Sequence, residues 1–456
     1  MIVQKICDIM YRVPQHINRD KIFIIQKSAI DGRLDPKMAL YNQSVQHALF
    51  PMVKLKSLLL SKPQYGANEA GIIRDNNEQP RYIRITDIDE NGLISLDELG
   101  ATVANLDDKY ILNENDIVIA RSGATVGKAY IHKLLPYTCV YAGYLIRFVV
   151  DSEKILPDYL FAYTQLSPYK EWVNAIQRPS AQPNINAEEY QSLEIPLPNL
   201  SKQQEIVDYI NEAYTQKRAK EVEAQQLLDS IDDYLLKELG ITIPNVDNEL
   251  NNRIFFSSFS KIEGNRLDPI YSLYLGKNAS STEYENTSLR SVAYIVKGNA
   301  LSSSDIEAGD IPVIAGGQTS PYSHNQANYE GNVITVSASG AYSGYIWYHD
   351  YPIYATDCCV IYSKDELRYM TKYLFEVLKL QQKGIYRLQT GAAQPHVYAA
   401  DLQMLNIPIV SIDKQRDIVN HIADIRTRAK ALQAEGKAIL EDAKRKVEQM
   451  IIGEKI

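Results

Sequence analysis

The chain is 456 residues long, 45% apolar, with a formal net charge of −8. That length implies two or more domains, no apolar run approaches a membrane span, and the acidic balance excludes a surface that is basic all round while allowing local basic faces. Cys7, Cys139, Cys358 and Cys359 make no CxxC pair and no Cys/His cluster, so free thiols in a reducing cytoplasm fit better than a zinc site or a disulfide framework.

Taken in order, the first residues, MIVQKICDIMYRVPQ, lack the apolar core and small-residue cleavage site of a signal peptide. Residues 2–10 resemble the end of a long helix and are expected to complete one such helix from the other terminus, closing a ring-like outline. Arg33-Leu34-Asp35-Pro36 reads as a turn with an ion pair. Strands are predicted at 82–88, 116–120 and 141–150, and helices at 157–165 and 169–176. A different kind of segment follows. Residues 201–239 hold no Pro and no Gly, with Ile206, Ile210, Ala213, Val222, Leu227, Leu228, Ile231, Leu235 and Leu239 near helical spacing. Asn199 or Ser201 can cap its start and Gly240 supplies its stop. Such a helix reaches roughly 55 Å at about 1.5 Å per residue, too long for one compact core.

The second half writes the plan again, as internal similarity shows. Arg266-Leu267-Asp268-Pro269 repeats the first block, and Leu289-Arg290-Ser291 weakly echoes Leu55-Lys56-Ser57. The segment from Asn115 through Ser122-Gly123-Ala124 to Gly127 returns as Asn332 through Ser339-Gly340-Ala341 to Gly344. Ala181-Gln182-Pro183 matches Ala393-Gln394-Pro395, and Ile195-Pro196 matches Ile407-Pro408. Strands are predicted at 311–315, 332–337 and 354–362, a helix at 364–381, and a second rod at 414–452 ending at Gly453. In the rods, Gln203, Ile206, Val207 and Ile210 match Gln415, Ile418, Val419 and Ile422.

These observations imply an α+β (mixed α/β) fold of two similar globules, each a twisted sheet with flanking helices and of ordinary domain size. The divisions are 1–200 and 241–412 for the globules, 201–240 and 413–456 for the rods. Neither rod can bury its stripe alone, so the two are expected to pack antiparallel in pseudo-two-fold symmetry. The stripe is not a clean heptad, which favours a helix pair over a strict coiled coil. The segment ends agree between copies and the middles diverge, as in a constant scaffold carrying two variable readers. Tyrosine outnumbers phenylalanine 32 to 8, which suits interfaces and equally suits packing in strands.

Catalytic signatures are missing. No Gly-x-Gly cofactor loop follows a strand, and the seven histidines include no HExxH. The run from Gly123 to Ala129 resembles a phosphate loop but is one residue short, with Ala129 where Ser or Thr would hold magnesium and Tyr345 in place of Lys128 in the second copy. Adjacent Cys358 and Cys359 read as packing residues. A binding protein is the better reading.

The two-copy plan resembles the specificity subunit of type I restriction–modification enzymes. The matching text is the run from Asp116 to Gly123, the Ala-Gln-Pro loops at 181 and 393, Pro196, Pro198, Gln203, Ile206 and Val207 at the start of the first rod, and a glycine ending each rod. The resemblance implies two target-recognition domains, each reading half of a bipartite site in double-stranded DNA. The helices would set the gap and dock two modification (methyltransferase) subunits that methylate adenine. Restriction (translocase/nuclease) subunits, two where the complex carries them, add ATP-driven translocation and cleavage. No cofactor is expected on this chain: S-adenosylmethionine, ATP and Mg belong to the partner subunits. Two readers on a spacer gain effective concentration for the second contact, and a rod near 55 Å covers roughly one to one and a half turns of B-DNA at about 34–36 Å per turn. Adenine methylation needs a flipped base, so this chain would hold the flanking DNA. No membrane is expected as partner, and a cytoplasmic location is.

Exposed loops on a scaffold carry recognition. The candidate DNA contacts are Arg121, Ser122, Lys128, Arg178, Ser180, Gln182 and Asn184 in the first copy, and Ser339, Tyr342, Ser343, Tyr345, Arg387, Gln389, Gln394 and His396 in the second. Arg suits guanine, Asn and Gln suit adenine, Ser and Lys suit phosphate. Gly123, Gly127, Gly340 and Gly344 read as turn formers, and Gln182 and Gln394, present in both copies, equally as backbone caps or as holders of the rod's base. The rival readings are a protein scaffold without DNA readout and a self-sufficient enzyme with an unrecognised site.

Overall fold

The computed structural model describes residues 36–45, 48–96, 98–177, 183–242, 282–391 and 393–453. The expectations for residues 2–10, 33–35 and 266–268 lie outside them. Two compact units divide the chain: Met1–Ala219 with Glu435–Ile456, and Lys220–Ala434. Each unit thus owns half of each rod.

In the first unit a four-stranded antiparallel sheet runs in the order Gln64–Tyr65, Leu145–Phe148, Ile117–Ala120, Ala129–Ile131. The strand Ile117–Ala120 is buried along its whole length because both faces are covered. Ile117 and Ile119 join the cluster that contains the helices Pro157–Thr164 and Ser167–Ile176, while Val118 and Ala120 join Ile83, Tyr141 and Leu145 on the other face. A second sheet orders Ile72–Ile73, Ala101–Thr102, Arg81–Ile83 and Cys139–Tyr141, the last pair parallel.

The second unit repeats the plan. Ala293–Lys297, Cys358–Ser363, Val333–Ser337 and Ile346–His349 form an antiparallel sheet, and Ser323–His324, Ile311–Ile314 and Tyr354–Ala355 a smaller one whose last pair is parallel. A two-stranded ribbon precedes each rod, Met52–Lys54 with Glu194–Pro196 and Asn286–Ser288 with Asn406–Pro408. The weak Leu-x-Ser echo marks one place in both: Leu55 N–H donates to Leu193 O at 2.8 Å and Leu289 N–H to Leu405 O at 2.9 Å.

Four predicted elements are corrected. The runs 141–150 and 354–362 are each two strands in two different sheets, because turns closed by Leu145 N–H to Ala142 O (2.8 Å) and Cys358 N–H to Thr356 O (2.9 Å) carry the chain between them. The strand at 82–88 ends at Ile83, where the Asp87 carboxylate accepts from the Arg84 amide and guanidinium and closes a turn. The helix at 364–381 begins at Thr371, whose amide donates to the Glu366 carboxylate, and stops at Leu380, before the separate short helix Gln382–Tyr386.

The rods span Leu200–Glu238 and Ile412–Ile452. Asn199 Oδ1 caps the first by accepting from Lys202 N–H at 2.9 Å, and Gly240 and Gly453 end the two at positive φ of 55° and 89°. Within the first unit Ile206, Ile210 and Ala213 pack with Leu440, Val447 and Ile451, the start of one rod against the end of the other. Within the second unit Ile231 and Leu235 pack with Ile418, Ile422 and Ile425, the end of the first against the start of the second, and Tyr234 lies 4.2 Å from the His421 ring. The pairing is antiparallel in both. Val222, counted in the predicted stripe, is 49% exposed, since at about 100° per residue it falls on the opposite face from Ile206.

One residue ties rod to globule in each unit. Gln203 is fully buried; its Oε1 accepts from Leu156 N–H at 2.8 Å and its Nε2 donates to the carbonyls of Pro198 (2.9 Å) and Lys154 (3.1 Å). Gln415 repeats this with Met370 N–H (2.9 Å) and the carbonyls of Arg368 (2.7 Å) and Val410 (3.0 Å). Burying backbone groups without partners costs about 1–3 kcal/mol each. Gln203→Leu and Gln415→Leu are therefore each expected to lower stability by about 1–3 kcal/mol per orphaned group in denaturant unfolding, and a loss below about 1 kcal/mol contradicts the assignment.

A second repeated pair was not singled out from sequence. His132 and His349 follow or end equivalent strands, both buried, with Tyr130 Oη 3.0 Å from His132 Nδ1 and Thr335 Oγ1 2.8 Å from His349 Nε2. Burial lowers each imidazole from 6.5 to about 4. The unfolded chain takes up these protons as pH falls below 6.5 and the folded chain does not, so their contribution is whole above pH 6.5 and is lost as pH drops toward 4. Urea midpoints measured across that window should fall less steeply for H132Q and H349Q than for the wild type; equal slopes contradict this.

Candidate nucleic-acid interface

In each unit a fully buried strand, Ile117–Ala120 in the first and Val333–Ser337 in the second, runs out into a tight turn. Gly123 and Gly127 sit at φ 78° and 87°, Gly340 and Gly344 at 86° and 91°, the left-handed region that glycine occupies without strain. A Cβ on Gly127 would lie 2.8 Å from the Val173 methyls, so the turn also needs glycine to approach the helix Ser167–Ile176. The phosphate-loop likeness ends here. The amides of Gly123, Val126, Gly127 and Lys128 donate to the Pro183, Gly123, Ala120 and Thr125 carbonyls, so these four do not face an anion.

The later loop crosses this turn in both units. Gly123 N–H donates to Pro183 O and Gly340 N–H to Pro395 O, both at 3.0 Å. Ile185 N–H donates to Arg121 O at 2.9 Å and Val397 N–H to Ala338 O at 3.1 Å, and the bridges pair Ser122 with Asn184 and Ser339 with His396. The two motif blocks far apart in sequence form one site per unit.

In the first unit, Asn184 is exposed. Arg121 is half-buried, its Nε donating to Gly143 O at 3.1 Å and its guanidinium 5.1 Å from the Tyr65 ring. Lys128 is half-buried, with Nζ donating to Ile88 O at 2.8 Å. Arg178, Ser180 and Gln182 lie outside the described residues. In the second unit, Tyr342, Arg387 and Gln394 are exposed. Tyr345 lies under the Lys379 ammonium at 4.5 Å, Ser339 Oγ donates to the Asp357 carboxylate, Gln389 Nε2 donates to Ser343 O at 2.7 Å, and His396 stacks on Tyr398 at 5.9 Å. Thr390 and His396 exchange two backbone bonds of 2.9 and 2.8 Å, which fixes this loop, and Gly391 turns it at φ 101°.

Ser122 and Ser343 are corrections. Ser122 is buried under the crossing loop and Ser343 is wholly buried, so neither hydroxyl reaches a duplex in this conformation. The rod-base role weighed for Gln394 belongs to Gln415, and Gln394 stays exposed. Burial pushes the Cys358 and Cys359 thiols up to about 12 and 11, which keeps them protonated and poorly nucleophilic.

Sequence reasoning missed one wall of the first site. A cavity of about 510 Å³ lies between the turn and the helix Ser167–Ile176, lined from the helix side by Lys170, Asn174 and Gln177. Their spacing on one face was the available signal.

The model of one protein family, described as type I restriction modification DNA specificity domain, matches residues 67–229 and again 281–441. The chain belongs to that family. It is a type I specificity protein with two DNA-recognition domains, and its role is recognition, in association with DNA and with other subunits of a restriction–modification complex. Among solved structures, the S subunit from M. genitalium is 14% identical, with 89% of this chain and 97% of that one covered and a TM-score of 0.43. HsdS from Thermoanaerobacter tengcongensis is 14% identical over 89% and 97%, with a TM-score of 0.36. A chain from a structure on assembly and conformational transition of the type I R-M system is 16% identical over 88% and 95%, with a TM-score of 0.48. No curated protein matches the chain. Among the described residues, no helix is long and apolar enough to cross a membrane.

Exposure separates the candidates. Arg387→Ala should weaken retention of duplex DNA by the assembled complex by about 1–3 kcal/mol, as loss of a charged DNA contact does. Ser343→Ala should leave retention unchanged. Equal effects of the two variants contradict the assignment.

Proposed function

We propose that each unit reads one half of a bipartite duplex target through its turn-and-loop site, and that the two rods fix the gap between the halves. The observation that carries this is the repetition of one backbone site in both units with different side chains upon it. Asn184 and Lys128 stand where the second unit has His396 and Tyr345. A shared frame with divergent contacts is what two dissimilar half-sites require, since phosphate contacts position and base contacts specify.

On this reading the chain docks two modification subunits, which methylate adenine, and two restriction subunits where the complex restricts. S-adenosylmethionine, ATP and Mg sit on those partners, and the complex works in the cytoplasm. The halved ownership of each rod supports a spacing role, because altering a rod's length alters segments of both units.

The test is modular. Exchanging residues 20–200 for the first unit of another family member should change the letters of one half-site in the map of methylated adenines. Shortening both rods by about one helical turn, roughly four residues, should change the gap and leave the letters. Both halves changing in the exchange, or the gap holding in the shortened protein, contradicts the reading.

A further inference from the structure

We propose that the open face of the helix Ser167–Ile176, continued by Gln177, is a base-reading element for the half-site assigned to the first unit. The inference rests on the reading above and adds residues to it: Lys170, Asn174 and Gln177.

Three observations carry it. The helix is two-faced: Tyr169, Trp172, Val173 and Ala175 are buried, whereas Lys170 and Asn174 are exposed. Lys170, Asn174 and Gln177 follow at intervals of four and three, so they share a face, and all three line the cavity beside the turn. Their side chains make no hydrogen bond among the described residues, and neither does the buried Thr125 hydroxyl in the same wall.

The helix is also held rigidly. Tyr169 Oη donates to Gly127 O at 2.8 Å, and Val173 fills the space that a Cβ on Gly127 would take. Turn and helix are therefore one preorganised unit, and polar groups fixed on a packed helix discriminate better than groups on a free loop.

The chemistry favours bases over the phosphate backbone. Asn and Gln each match the adenine major-groove edge with two hydrogen bonds, and Lys matches guanine. A phosphate fits the cavity less well: Glu90 lines it, and the Lys128 ammonium is turned to Ile88 O. The second unit carries Lys383 and Arg387 in and just after its short helix Gln382–Tyr386, a different set, as a different half-site needs.

The experiment places N174A, Q177A, the double variant and K170A in the native host and sequences methylated adenines genome-wide. The expected result is relaxed specificity at one to three neighbouring positions of one half-site, roughly ten- to a hundredfold per lost base contact, with the other half-site and the gap unchanged. The unchanged half-site reports that the protein still folds and assembles. The single variants, which leave the buried face intact, keep the test readable should the double variant fail to assemble. Unaltered letters in both half-sites overturn the proposal. So does methylation that weakens equally at all sites, the mark of a phosphate contact. A wild-type map without any bipartite pattern would instead sink the reading of two half-sites first.

Discussion

Two buried glutamines carry the design. Gln203 and Gln415 each satisfy three backbone groups where a rod leaves its globule. A long helix with a narrow apolar stripe has little to fix its direction against a neighbouring domain. A buried amide with two donors and two acceptor lone pairs can do so only in a narrow range of geometries. Tyr159 and Tyr373 reinforce the joint by donating to Pro196 O and Pro408 O at 2.6 and 2.9 Å. The same three-part contact, made twice, gives each recognition site a defined orientation on its own rod halves.

From that anchor the functional geometry follows. Between the sheet and the ribbon that precedes each rod, the crossing loop closes over the turn through Pro183 and Pro395. The backbone of the site is common to both units, with four turn amides in each bonded to neighbouring carbonyls. Backbone packing leaves exposed Asn184 and the Lys170 face in one unit and Tyr342, Arg387 and Gln394 in the other, the side chains to which the proposed reading assigns specificity. On the proposed reading an acidic protein can read DNA in this way, because local faces and not the whole surface meet the duplex.

Much of this was legible in the sequence. The rods were, because some forty residues without Pro, and with Gly436 of the second rod as their single glycine, leave a helix as the one regular choice, and their caps and stops obey simple chemistry. The repeat was, and it carried more than was taken from it. Asn115 and Asn332, at φ 70° and 52°, and His132 and His349 occupy matching places. The broken strands were not legible, since Ala142–Leu145 and Thr356–Cys358 turn without a cluster of turn residues. Site residues were the hardest. A serine beside a glycine turn reads as available, but Ser343 points into the core, and nothing in residue type reveals that. The helix face of Lys170, Asn174 and Gln177 reads as an ordinary solvated surface until the turn is seen opposite it.

The central claim is that each copy is locked to its rod halves by its own glutamine. Hydrogen–deuterium exchange on the full chain tests it directly. In Gln203→Ala, peptides covering 154–164 and 200–213 should lose protection, while those covering 366–378 and 412–425 exchange as in the wild type. Equal loss of protection in both sets, or none in either, would contradict the account.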